Sequence, residues 1–488
     1  MHFTLRASCA AAVLLLAAGG SAAQTTDTLR AAAEKAVAGN PDVTARFNAY
    51  RAAADAVDVA RGGFLPRVDV TANVGRDNDR ITDRLPTASQ SLNRREAGVS
   101  LTQLLWDGMG TSNDVSRLGH ERLARYFELI DTTEQTVLEA VRAHVDVQRY
   151  RRLVQLAEDS YVQHRYAYIQ IQSRVQAGVG RGVDLEQAAA RVALAESNLA
   201  TEQSNLHDVM ARYQRVVGEL PPARLPALAM LKQAMPASAG EAMTSSLQHN
   251  AAISASIEGL RSARSAASGR ESAFQPRVEA RVRTSGGRNV DGIQDQTRSS
   301  AAEIVLNWNL FNGGSDQARV RQQANFVNQA ADLRDKSCRD ARQAAAIAFN
   351  DTRKLTEQLA YLDRNTLSIE KARDAYRQQF DIGQRSLLDL LNAENEVYTA
   401  RRAYANAEHD LAVAYARAQA AMTQLGTQLG IARTDKLADE AAGWTAGDDA
   451  PGRCPATVAE VAPTDRAELD ARAARMSANA PKPAAPVR

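Results

Sequence analysis

Beyond residue 23 the sequence has no uninterrupted apolar run near the eighteen or so residues that a membrane-crossing helix needs, so any spanning of a membrane falls to strands. Cysteine is scarce, three in 488 residues, and only Cys338 and Cys454 lie outside the first two dozen positions, too few for a disulfide framework. An excess of one charge is also missing. The 59 basic and 57 acidic residues leave a net charge of +2 and no basic imbalance of the kind that marks a nucleic-acid binder. No Gly-Lys dipeptide is present for a P-loop, the seven histidines show neither HExxH nor paired-ligand spacing, and Gly313-Gly314-Ser315 is not a nucleophile elbow. These absences predict a chain that is not an enzyme and needs no cofactor or metal. Proline is missing from 112 to 176, where Gly119 is the one glycine. A single helix there would run about 100 Å, longer than a globular core accommodates.

The sequence is organised around the stretch from Asp381 to Asn406. Gly383 interrupts one helical pattern, and after Ser386 another begins whose apolar residues Leu390, Val397, Tyr404 and Leu411 recur every seven positions, the seam of a coiled coil. About 205 positions earlier the same grammar appears: Gly178 matches Gly383, Asp184 matches Asp389, and Leu185, Val192, Leu199 and Leu206 repeat the spacing. Each copy predicts a long rod, a sharp tip and a returning helix, the second rod over about 317–380 with Leu355, Leu359, Leu362, Thr366 and Ile369 along its seam.

Ahead of each rod lie two stretches of period two. Val68, Val70, Ala72 and Val74 oppose Arg67, Asp69, Thr71 and Asn73; Ala97, Val99 and Leu101 oppose Glu96, Gly98, Ser100 and Thr102. In the second copy Val278, Ala280 and Val282 alternate with arginines and Glu279, and Ile304, Leu306, Trp308 and Leu310 alternate with Glu303, Asn307 and Asn309. Four strands are predicted, the first pair separated by a long polar loop over 75–95. At the front, Arg6, the apolar run Ala10–Ala18 and the small residues Ser21, Ala22 and Ala23 have the layout of a cleaved secretory signal, and Cys9 precedes that run, unlike a lipid-anchored cysteine. The expected organisation is a signal over 1–23, a first repeat over 24–220, a proline-rich connector over 221–237, a second repeat over 238–430, and a largely disordered periplasmic tail over 431–488.

One apolar and one charged face suits a half-exposed soluble sheet or a barrel between lipid and water. Four such strands behind a secretory signal favour the barrel. Within lipid a sheet must close, and four strands are too few to close alone, so the chain supplies part of a shared barrel.

These residues resemble the TolC-like outer-membrane channels, especially the type I secretion branch. The resemblance covers 26–426 and is carried by FLPRV at Phe64–Val68 and FQPRV at Phe274–Val278, by the strand exits WDG at 106–108 and FNGG at 311–314, and by FDIGQRSLLDLLNAENE from Phe380 to Glu396. It implies an α+β fold: tandem-duplicated long helical hairpins form a periplasmic α-barrel tunnel, and four strands join a shared outer-membrane β-barrel. It further implies a homotrimer with twelve barrel strands in outer-membrane lipid, and an iris at the periplasmic tips. The implied partners are a periplasmic adaptor protein, an inner-membrane ABC transporter and an exported protein substrate. An outer-membrane channel of a multidrug efflux pump shares the fold. A periplasmic coiled-coil adaptor would explain the rods but not the strands.

For the tips two readings stand. Ser386 with Asp389 fits a capping box, and Asp184 with Gln187 fits similarly, which needs no gate. The resemblance instead implies that Asp389, repeated about a threefold axis, forms an acidic constriction, with Arg385, Asp184 and Phe380 among the residues holding the tips. The family's usual second acid is Asn392 here, which weakens any cation-binding ring. Cys338 and Cys454 are candidates for a bridge: the returning helix brings the start of the tail back to about the height of Cys338, and the following stretch is long enough to reach it. A buried Cys338 with a free Cys454 is the alternative.

Overall fold

The computed structural model describes residues 20–81, 88–431, 440–454, 457, 461–462 and 464–478. The leader expected over 1–23 lies almost wholly outside the described residues, and the positions from Gly20 open the first helix.

Helices α1 (Gly20–Gly39) and α2 (Pro41–Arg61) are separated at Asn40, whose side chain accepts the Asp42 amide while Pro41 opens α2. Proline lacks only an amide that the first turn leaves unpaired anyway. Strands β1 (Arg67–Ile81) and β2 (Ala88–Trp106) follow, then the rod α3 (Gly110–Gln176) and its return α4 (Gly182–Val217). The second copy repeats this with α5 (Ala239–His249) and α6 (Ala251–Arg270), parted by Asn250, which caps α6 through the Ala252 and Ile253 amides. Strands β3 (Arg277–Arg288) and β4 (Gln296–Asn307) lead into the rod α7 (Ser315–Asp381) and its return α8 (Leu387–Ala421). Both rods are 67 residues long, about 100 Å at the α-helical rise. A turn of helix, α9 (Leu425–Gln428), and a last helix, α10 (Arg466–Ala478), whose Arg466 pairs with Glu357 of α7 at 3.0 Å, complete the described residues.

Three expectations need correction. The loop expected over 75–95 is mostly strand: Gly75 to Ile81 pair in register with Arg94 to Ala88. Pairing is a backbone property, so the strands continue where apolar alternation stops. In the second copy, β4 ends at Asn307, short of the expected Trp308 to Leu310; the Trp308 indole donates to the Phe274 carbonyl at 3.2 Å. Finally, residues 440–454 are not a disordered tail. Cys454 is disulfide-bonded to Cys338 with Cα atoms 6.1 Å apart, and Trp444 packs tilted against Phe127 at 4.8 Å between ring centroids.

The four strands form one antiparallel sheet in the order β1-β2-β3-β4. Neighbours in the helical part repeat that order: α2, α3, α6 and α7 side by side above, and α4, α3, α8 and α7 below. The largest core lies where α1 meets the rod α3 and the returning helices α4 and α8, with Leu29, Ala33, Val37, Val141, Val145, Tyr213, Ala416 and Leu425 buried together. Alanine at so many of these positions lets the helices approach closely.

Candidate functional site

The sheet has two unlike faces. Registered pairs Val68 with Leu101, Val70 with Val99, Leu101 with Val282 and Ala280 with Ile304 place the apolar residues on one side, where Val70 and Ile304 are 75% and 73% exposed. Valine and isoleucine exposed in rows are a surface for lipid, not for water. The opposite side carries Arg67, Asp69, Arg277, Glu279, Arg281, Arg283 and Glu303, which line a cavity of about 730 Å³. Glu279 binds Arg277 at 2.7 Å and Arg281 at 2.8 Å.

Among the described residues both outer strands, β1 and β4, have an unpaired edge. The helices have matching open sides at α2 and α4 on one flank and at α7 on the other. On α7 the exposed residues Phe326, Leu333, Ile347 and Tyr361 are separated by multiples of seven, and helical geometry sets this stripe opposite the buried Cys338, Ala341, Ala345 and Ala348. The sheet edge and the helix stripe thus call for the same kind of neighbour.

At the far end each rod stops at a glycine with positive φ, +76° at Gly178 and +77° at Gly383, a conformation that closes the helix end cheaply only without a side chain. Ser386 accepts the Asp389 amide and donates its hydroxyl to the Asp389 carboxylate at 2.9 Å, so Ser386 is the N-cap in the second copy and Asp389 reaches back to the Ser386 side chain, not to its amide as a full capping box would. Arg385 approaches that carboxylate at 3.8 Å, donates to Gln379 at 3.1 Å and lies over the Tyr376 ring. In the first copy Arg181, not Asp184, is the cap residue; it caps without its side chain, and Asp184 sits in the first turn of α4. The structure therefore does not bring Asp184 to Arg385 or Asp389 through any described hydrogen bond or ion pair.

What joins the two hairpins is different. Arg191 on α4 donates to Asn392 on α8 at 2.8 Å. Arg377 on α7 reaches Gln163 on α3 at 2.6 Å and also the buried Glu394 of α8, which Arg373 holds at 3.2 Å. The Arg174 guanidinium lies 4.8 Å from the centre of the Phe380 ring, and Leu387 and Leu391 pack on Ala167, Ile171 and Ala188. Between these links a cavity of about 340 Å³ remains, lined by Val162, Tyr166, Phe380 and Leu390 among others. Sequence reasoning singled out Asn392 and Phe380 but missed Arg191, Arg377 and Glu394. Their signal was present: Glu394 falls four residues after Leu390, on the helix face that the heptads bury.

The match to known proteins agrees with this geometry. The outer membrane efflux protein family matches residues 32–219 and 242–424, one span for each repeat. The chain belongs to that family. Such a family member is a channel of the outer membrane that extends into the periplasm, not an enzyme. The outer membrane efflux protein BepC of Brucella suis is 27% identical over 409 residues, covering 83% of this chain and 88% of that protein. The alkaline protease secretion protein AprF of Pseudomonas aeruginosa is 23% identical over 403 residues, covering 78% and 81%. Among solved structures, the outer-membrane channel OprN superposes with a TM-score of 0.71 at 20% identity, over 83% of this chain and 92% of that one. The fold expected from the TolC-like resemblance is thus the fold found.

Proposed function

We propose that this efflux-family channel is the exit duct of a type I protein secretion system, assembled as a homotrimer and joined through a periplasmic adaptor to an inner-membrane ABC transporter. The observation that carries the duct is a sheet with a lipid-type face and two unpaired edges crowning rods about 100 Å long, which one chain cannot close. Likeness to AprF, named for protease secretion, supports protein cargo. Likeness to BepC, named an efflux protein, supports a second reading as a multidrug efflux channel. Deleting the gene separates them. Loss of one or a few secreted proteins with unchanged drug susceptibility is expected; raised susceptibility with an intact secretome would replace secretion by efflux.

The tips serve as the closure. Support comes from the polar links Arg191–Asn392 and Arg377–Gln163 between the hairpins and from the cavity beside them, with only the small apolar cluster of Leu387 and Leu391 on Ala167, Ile171 and Ala188 to be parted. Arg377→Ala should raise single-channel conductance in planar bilayers severalfold, and Asp389→Ala should raise it further while reducing block by multivalent cations. Unchanged conductance in both, with lowered stability, would leave these residues only structural.

A further inference from the structure

Residues 440–454 cross three helices at one level. Glu440 lies 2.8 Å from Arg122 of α3, and Trp444 packs on Phe127 of the same rod while its indole donates to Glu258 of α6 at 2.7 Å. Asp449 accepts from Arg261 at 2.7 Å and pairs with Arg264, both on α6, and its carbonyl takes a hydrogen bond from Arg334 of α7. Arg453 binds Asp335 at 2.6 Å and Asp332 at 2.5 Å, and Cys454 is bonded to Cys338, all three on α7. The three helices are thereby joined by aromatic packing, ion pairs and a covalent bond that cannot slide. Below this level α3 packs through the core around Val141 and Val145, and the apolar clusters beyond that core, toward the tips, are smaller. From Phe127 and Cys338 to the ends of their rods is about 65–75 Å of helix, and near those ends the hairpins meet through one small apolar cluster, Ala167, Ile171 and Ala188 with Leu387 and Leu391, and a few polar links around a cavity.

We infer that the strap 440–454 is a clamp that fixes α3, α6 and α7 against one another, so that tip opening is a bending of the rods below it. Trp444, Asp449 and Cys454 are positioning residues for the gate although they lie far from it. The inference rests on the reading of the tips as a movable closure.

The test uses the full-length protein in lipid, as wild type, as Cys338→Ser/Cys454→Ser and as Trp444→Ala with the disulfide intact. Amide hydrogen exchange read by mass spectrometry is expected to rise about tenfold in the double-serine variant over 440–454 and over the facing stretches 120–130, 255–265 and 330–340. In planar bilayers that variant is expected to spend a larger share of time open at unchanged open-level conductance. Trp444→Ala should move both readouts in the same direction, and it carries the test alone if the double variant fails to accumulate. Faster exchange confined to the strap, with the three rods unchanged, overturns the clamp. So does loosening of the rods with an unchanged open share, provided Arg377→Ala still opens the tips. If Arg377→Ala has no effect, the gating reading has failed, and exchange in the rods alone decides whether the strap clamps them.

Discussion

Glu134 and His144 lie on the same rod, both buried, and burial pushes them in opposite directions. The Glu134 carboxyl accepts the amides of Leu425 at 3.1 Å and Gly426 at 2.9 Å, and a β-carbon on Gly426 would stand 2.8 Å from its oxygen. Desolvation outweighs those two hydrogen bonds and raises its pKa from 4.5 to about 7, with nearby Asp131 adding to the rise. His144 is lowered from 6.5 to about 4 by burial and by the charge of Arg151. Between pH 4.5 and 7 the folded chain holds a proton on Glu134 that the unfolded chain has released, so this group makes stability fall as pH rises through that window. Between pH 4 and 6.5 the unfolded chain holds a proton on His144 that the folded chain lacks, so this group makes stability rise with pH. The two slopes oppose each other where the windows overlap. Glu134→Gln should therefore cost about 1 kcal/mol for a weakened amide contact and leave a steeper increase of stability from pH 4.5 to 6.5 than wild type. His144→Gln should show the reverse, a decline from pH 4.5 to 7. Urea unfolding of the detergent-solubilised protein across this range measures both, and parallel curves for wild type and variants would contradict the assignment.

Among the elements, the rods and tips were the most legible and the strands the least. Long stretches without proline, ended by Gly178 and Gly383, set the bounds of α3 and α7 to within a few residues, because a breaker is a local event. The heptad residues Leu390, Val397 and Leu411 are buried as their spacing requires, while Tyr404 and the α7 positions Leu355, Leu359 and Leu362 are half-buried. Strand length was misjudged because alternation reports only the part of a strand whose two faces meet different solvents. Beyond Val74 both faces of β1 are polar, yet the ladder with β2 runs on to Ile81. The lipid face can be tested directly. Ile304, 73% exposed and registered with Ala280, should lose about 2–4 kcal/mol when replaced by Arg. Ser299, whose register with Ser285 puts it on the other face, should accept Arg with little change in stability. Folded yield in lipid vesicles compares the two, and equal losses would mean that the apolar face does not meet lipid.

Across the whole molecule, what the sequence could not show was contact between distant polar residues. The strap pairs Asp449 with Arg261 and Arg334, residues without periodicity that no local pattern joins, and Arg377 reaches Gln163 across the two repeats. The need for further copies was legible, since four strands cannot close within lipid. The structure adds two exposed flanks on which such copies would meet. Sheet edge β4 and the stripe Phe326, Leu333, Ile347 and Tyr361 lie on the last members of their layers, and the opposite flank offers β1 with the exposed Val59 of α2 and Leu194 of α4. Each such side chain, once covered, contributes about 1.5–3 kcal/mol, and the stripe recurs in every copy of a closed ring. Ile347→Asp combined with Phe326→Asp should disturb the chain's own packing little, because the two residues are 44% and 46% exposed in the single chain. Helix content by circular dichroism should be unchanged, while the heat-resistant oligomer expected of the wild type on electrophoresis should give way to monomer. Val461→Asp, at a position 94% exposed in the tail, should leave the oligomer as it is. An oligomer indifferent to the paired α7 substitutions would place the contact between copies on some other face of the rods.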